Sequence, residues 1–196
     1  MSKTAKFNRE DVIEKATNLY WEKGYHGTSM RNLQTAIDLR PGSIYATFGS
    51  KDNLFKEAIH HYAAKTGHLL QDCLDQSATP LTGLKLFIKK LIVDNLDGKP
   101  SCMCMIVKSL SELTESDNKE LLDEVKKILA NVETRLVGII TEAMDAGELD
   151  KNKDAIELAS YLQIQIIGLR TYARVNNNKE MVNKFIDDIF IGAPFH

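Results

Sequence analysis

The 196-residue chain lacks several things, and each absence removes a class of function. No stretch approaches the roughly 18 apolar residues of a membrane span, so no membrane partner is expected. The start, Met1-Ser2-Lys3-Thr4-Ala5-Lys6-Phe7, carries no apolar core of signal-peptide length. Cysteine is scarce: there are three, an odd number, and Cys102 and Cys104 stand only two apart. That pattern does not make a disulfide framework, and a cytoplasmic protein with reduced thiols is expected. Internal repeats and low-complexity segments are missing. So are a nucleophile–base pairing, a metal-ligand spacing and a phosphate loop, which leaves an enzyme without support and implies no cofactor or metal. A net charge of −2 excludes a wholly basic nucleic-acid coat protein.

What is present is ordinary in bulk and uneven in detail. At 43% hydrophobic and 27% charged, the chain has the composition and length of a folded protein with a sizeable core. Residues 1–56 carry nine Lys/Arg against six Asp/Glu, whereas the remainder carries sixteen against twenty-one. A basic end on an acidic body fits a phosphate-binding head.

The stretch from Thr28 to Phe55 reads as three helix starts in fewer than thirty residues. Thr28 is placed to cap a short helix with Leu33, Ala36 and Ile37 on its apolar side. A turn around Asp38-Leu39-Arg40 follows, and Pro41 suits the first position of a second short helix. Ile44 and Phe48, four apart, give that helix an inward face. Gly49 ends it, and Ser50 caps a third helix. Two short helices across a tight turn form a helix-turn-helix unit, whose second helix enters the DNA major groove. Its solvent side shows small groups, hydroxyls and cations, the residue types that approach and bond phosphates and base edges. A helical corner with a plain polar surface fits the spacing equally well.

Elsewhere the periodicity predicts more helices. Lys3 and Lys6 form a short basic arm before a helix opened by Asn8 and closed by Gly24. A long helix runs from Lys51 to about Asp75; it contains Glu57 and His60, one copy of a pair that di-iron bundles use twice. No second copy exists, so a small all-α enzyme or di-iron bundle stands as the alternative reading. Thr79-Pro80 opens a helix, Asp97-Gly98-Lys99-Pro100 breaks the chain, and Ser101 opens the next helix. A long helix is expected from Asp117, capped by Ser116, to Ala146. From Asp154 to about Val175 the chain is apolar around nearly the whole circumference, and such a helix must be covered on both sides. The body can cover one side; a second subunit covers the other. The dimer candidates are Leu158, Tyr161, Leu162, Gln165, Leu169, Phe185 and Ile189, the last two on a final helix after Asn176-Asn177-Asn178.

The residues Thr28-x-x-Arg31-x-Leu33 and Gly42-Ser43-Ile44-Tyr45-x-x-Phe48-x-x-Lys51-x-x-Leu54-Phe55 resemble the DNA-binding signature of the TetR/AcrR family of bacterial transcription regulators. Asp38 stands where that family usually has glycine, Arg40 where it has a small capping residue, and Ala46-Thr47 where it has an aromatic or histidine pair. The resemblance implies an all-α chain of about nine helices. A helix-turn-helix domain (1–55) would precede a helical ligand-binding and dimerisation domain (56–196). It also implies a homodimeric repressor that binds a double-stranded DNA operator and releases it to an unknown small-molecule effector. The DNA-contact candidates are Thr28, Arg31, Arg40, Pro41, Gly42, Ser43, Tyr45, Ala46, Thr47 and Lys51. Cys104 also falls at a cysteine position of the family, with Lys108 replacing its usual asparagine. Cys102 and Cys104, expected in the first turn of a helix with Lys108 on the same face, are candidates for ligand binding or thiol sensing. The plainer reading is a buried, inert cysteine.

Overall fold

The computed structural model describes residues 8–94, 101, 103–176 and 178–196. The basic arm with Lys3 and Lys6, the break at 97–100, Cys102 and Asn177 lie outside them. Among the described residues the chain is all-α, with nine helices and no strand. The helices are α1 (Arg9–Lys23), α2 (Met30–Ile37), α3 (Pro41–Phe48), α4 (Lys51–Asp75), α5 (Pro80–Ile92), α6 (Met105–Glu112), α7 (Lys119–Asp145), α8 (Ala155–Val175) and α9 (Lys179–Ile191).

Most helices begin where a side chain satisfies a free N–H. Asn8 accepts from Glu10 N, Ser50 from Asn53 N, and Asp154 from Ile156 N and Glu157 N. Thr79 and Thr82 form a reciprocal box at the start of α5. Three expected starts are displaced. Ser29, not Thr28, caps α2, in a capping box with Asn32. Thr28 is fully buried, and its hydroxyl donates to Gly24 O at 2.7 Å, closing the α1–α2 turn. The helix after Ser101 starts only at Met105: Ser101 Oγ accepts from Met103 N at 3.2 Å, a local turn that competes with helix, and Cys104 becomes the N-cap. Likewise α7 starts at Lys119 rather than Asp117, because Thr114 Oγ1 bonds both Ser116 Oγ and Asp117 Oδ2 in a preceding turn.

Apolar residues gather into two clusters. One joins α1–α3 and the first half of α4 to α6 and the first half of α7; Leu33, Ile44, Leu54, Ile59, Met105 and Val125 lie at its centre. The other joins the second half of α4 to α5, the second half of α7, α8 and α9. Thus α4 and α7 run through both. Full burial of one large aliphatic side chain contributes about 1.5–3 kcal/mol, so these seams dominate stability. The exposed pairs Arg9–Glu57 (2.6 Å) and Lys65–Glu14 (2.8 Å) between α1 and α4 add at most about 1 kcal/mol each.

The expected dimer seam needs a correction. Leu158 and Leu162 are fully covered by their own subunit, and Leu169 and Ile189 nearly so. Of the other candidates, Tyr161, Gln165 and Phe185 (37% exposed) line an open groove between α8 and α9 together with Leu169 and Ile189, and Ile156, Ile164 (65%), Val175 (78%), Met181 and Ile191, which were not candidates, are also exposed on these helices.

Candidate functional site

The head is braced from inside by aromatic rings. Phe55 meets Tyr20 and Tyr25 edge-on, with centroids 5.1 Å apart in each pair. Tyr20 Oη donates to Lys51 O, and Tyr25 Oη to Asp52 Oδ1 at 2.5 Å. Against this support α3 turns Ile44 and Phe48 inward. Its register is then fixed, and the opposite side faces solvent: Arg40, Pro41, Gly42, Tyr45 and Ala46 are exposed, and Ser43 and Thr47 half-buried. Thr47 Oγ1 donates to Ser43 O at 2.7 Å. Arg31 is exposed on the neighbouring α2. A Cβ at Gly42 would meet nothing within 4 Å, so the surface there is open.

The turn that sets α3 against α2 passes through Asp38 at φ 54°, ψ 43°, the left-handed region. Arg40 occupies the N-cap of α3 without a side-chain cap bond, which leaves the guanidinium in solvent. Arg40, Gly42, Ser43, Tyr45, Ala46 and Thr47 thus lie on the side of α3 away from Ile44 and Phe48, and Arg31 is exposed on α2. The structure does not place Thr28 there, since that side chain is interior. Lys51 is also turned away. Its Nζ donates to Tyr25 O at 2.8 Å and lies 4.1 Å over the Tyr25 ring, and burial lowers its pKa.

Sequence reading missed how α6 grips the head. Lys108 does not point toward Cys104. Its Nζ donates to Glu22 O at 2.7 Å and Trp21 O at 3.4 Å, where a cation complements the C-terminal end of α1. The Glu112 carboxylate accepts from Tyr25 N at 2.7 Å and from His26 N at 3.4 Å. Gly24 was legible as a helix stop but not as a close approach: a Cβ there would lie 1.9 Å from Glu112 Oε1.

Between α4, α5, α6, α7 and α8 lies a cavity of about 390 Å³ with a mainly aliphatic wall, including Leu70, Ile106, Leu129 and Ile166. Cys104 lines it, half-buried, and its Sγ accepts a long bond (3.8 Å) from Tyr62 Oη. Arg170, buried, donates from Nη2 to the same hydroxyl at 3.2 Å. Arg170 was also missed, although an arginine among the apolar residues of α8 was a visible signal. Glu57 and His60 point to different partners, Arg9 and Glu124. Among the described residues no three His, Cys, Asp or Glu converge on a metal position, and no helix is long and apolar enough to cross a membrane.

Comparison with known proteins agrees with this architecture. Residues 12–58 match the family model "Bacterial regulatory proteins, tetR family", and residues 96–189 match "Tetracyclin repressor-like, C-terminal domain". The transcriptional repressor DhaR of Mycobacterium sp. (strain GP1) is 23% identical over 183 residues, covering 93% of this chain and 90% of its own. The repressor ComR of Escherichia coli (strain K12) is 24% identical over 180 residues, covering 86% and 80%. Among solved structures, a cysteine-substituted form of the regulator CifR, complexed with 26-bp operator DNA, superposes with a TM-score of 0.86 at 24% identity, over 98% of this chain and 100% of that one. With both its head and most of its body matched by the family's own models, the chain belongs to the tetR family of bacterial regulatory proteins.

Proposed function

We propose that the protein is a homodimeric DNA-binding transcriptional repressor that releases a pseudo-palindromic operator when a small molecule occupies the cavity of its body. The observation that carries this reading is the outward side of α3, where Arg40, a phenol and hydroxyls accompany exposed glycine and alanine, with Arg31 exposed on the neighbouring α2. In the major groove, Arg31, Arg40, Ser43 and Thr47 would reach base edges, Ala46 a thymine methyl, and Tyr45 a phosphate. Lys51 would add charge at a phosphate only by leaving Tyr25; the N-terminus of α4 supplies its dipole without any rearrangement. Two-fold symmetry would set two such faces about 34–36 Å apart, or a multiple of that, on one side of the duplex. The exposed apolar side of α8 and α9 supplies a surface for the pairing. The cavity is close to α6, which grips the head, so an occupant has a route to the reading helix. Nothing in this reading calls for catalysis, and a regulator of bacterial genes would act in the cytoplasm.

The test is fluorescence anisotropy on duplexes flanking the protein's own gene. Arg40→Ala is expected to cost about 1–3 kcal/mol on the specific duplex and little on random DNA. Tyr45→Phe is expected to weaken both similarly. Equal losses on both duplexes for Arg40→Ala would remove Arg40 from the base-reading set. Wild-type protein indifferent to every such fragment would end the repressor reading.

A further inference from the structure

Tyr25 and Lys51 stand at the two ends of the segment that holds both short helices of the head, 26 residues apart along the chain. Tyr25 lies in the turn that leads into α2, and Lys51 is the first residue of α4, just after α3 has ended. Their contact therefore closes a loop around α2 and α3. It has two parts: the ammonium donates to Tyr25 O at 2.8 Å and rests 4.1 Å over the ring of the same tyrosine. The next residue, Asp52, accepts from Tyr25 Oη at 2.5 Å. We propose that Lys51 serves operator recognition as a positioning residue, a clasp that holds the two ends of the helix-turn-helix together through Tyr25, and that its charge acts there rather than on a phosphate.

Tyr25 is engaged at every polar atom. Its N–H donates to Glu112 at 2.7 Å, its carbonyl accepts from Thr28 N at 3.3 Å as well as from Lys51, and its phenol is held by Asp52. Only 7% of its surface is exposed, and its ring meets Phe55 edge-on. Lys51 thus docks on a partner that is already fixed. The other end is tied too: Lys51 O accepts from Tyr20 Oη at 3.2 Å, so the first turn of α4 does not swing outward without breaking a bond to α1. Exchange with a phosphate is a poor trade. It gives up a charge-assisted bond and a cation–ring contact in a half-buried place for a contact in water that salt screens. A phosphate at the start of α4 meets the helix dipole with the clasp still closed. What the clasp contributes is an angle, because α2 and α3 hang between its two ends and a shift of either end turns the reading helix.

This inference rests on the operator reading of α3, and the experiment separates the two. Fluorescence anisotropy of the full-length protein is read on a flanking operator duplex and on a random duplex, from about 50 to 200 mM KCl. Lys51→Met keeps the stem over the ring and removes the charge. Loss of one phosphate contact per protomer of a dimer makes the plot of log affinity against log salt shallower by about 1.8. The expected result is instead an operator affinity roughly ten-fold lower at an unchanged slope, with the random duplex held as tightly as before. Lys51→Arg, whose guanidinium can donate to Tyr25 O and stack on the ring, is expected to restore the operator affinity. Should Lys51→Met fail to fold, Lys51→Gln removes the same charge with a polar side chain, and its slope is read in the same way. A slope shallower by about 1.8 puts Lys51 on a phosphate. An equal loss on both duplexes at unchanged slope makes it a stability element alone, and an unchanged operator affinity leaves the clasp without a role. Each of these overturns the inference with the operator reading intact. If wild type binds no flanking fragment, the operator reading falls and the positioning role falls with it.

Discussion

Asp38 joins α2 to α3 with a backbone that L-residues adopt reluctantly, at φ 54°. Aspartate tolerates it better than most, but glycine has no Cβ to strain. Asp38→Gly is therefore expected to stabilise the protein by about 0.5–1 kcal/mol, read as a higher denaturant midpoint with an unchanged m-value. Destabilisation would mean that the carboxylate has a role its conformation does not reveal. Position 38 shows how much single residues disclose: the turn was legible from Asp38-Leu39-Arg40, and the departure from glycine marked the place. Thr28 shows the limit. Its residue type fits a cap as well as a buried latch, and only the neighbouring Ser29–Asn32 box decided which. A local pattern names the candidates for a hydrogen bond but does not choose between two adjacent hydroxyls.

At the level of elements, helix existence was largely legible because caps and apolar spacing act within one turn. Asn8, Ser50 and Thr79 all cap where expected. Partners across the chain were not legible. The i,i+4 spacing set Lys108 beside Cys104, but the lysine crosses to the C-terminal carbonyls of α1, 86 residues away along the chain. No local signal encodes that choice; it depends on how α6 lies against the head. Lys108→Met keeps most of the aliphatic stem and removes the charge-assisted bonds. It is expected to cost about 1 kcal/mol in chemical denaturation and to raise amide exchange through the Tyr25–Ser29 turn more than in α9. Uniform exchange across the protein would show that α6 does not hold that turn specifically.

For the molecule as a whole, α8 was expected to be covered on two sides, and two of the residues expected on its partner side, Leu158 and Leu162, lie in its own core. A helix apolar around nearly its full circumference gives periodicity no means to say which side meets its own core. Leu158 and Leu162 went inward, while Ile164 on the same helix and the candidate Phe185 on α9 stayed open. The double variant Ile164→Glu/Phe185→Glu is therefore expected to sediment as a monomer with its helix content intact and to lose operator affinity by more than ten-fold, about 1.4 kcal/mol or above. A dimer that survives both charges would move the pairing surface elsewhere. The chain also holds a single tryptophan, and its place has a practical consequence. Trp21 Nε1 donates to Met103 O, just ahead of α6, and its ring stands edge-on to Tyr62 with centroids 5.1 Å apart. Its emission is thus an intrinsic optical signal from the junction of head, cavity wall and α6. Occupancy can be followed on the unlabelled native chain, without an attached dye.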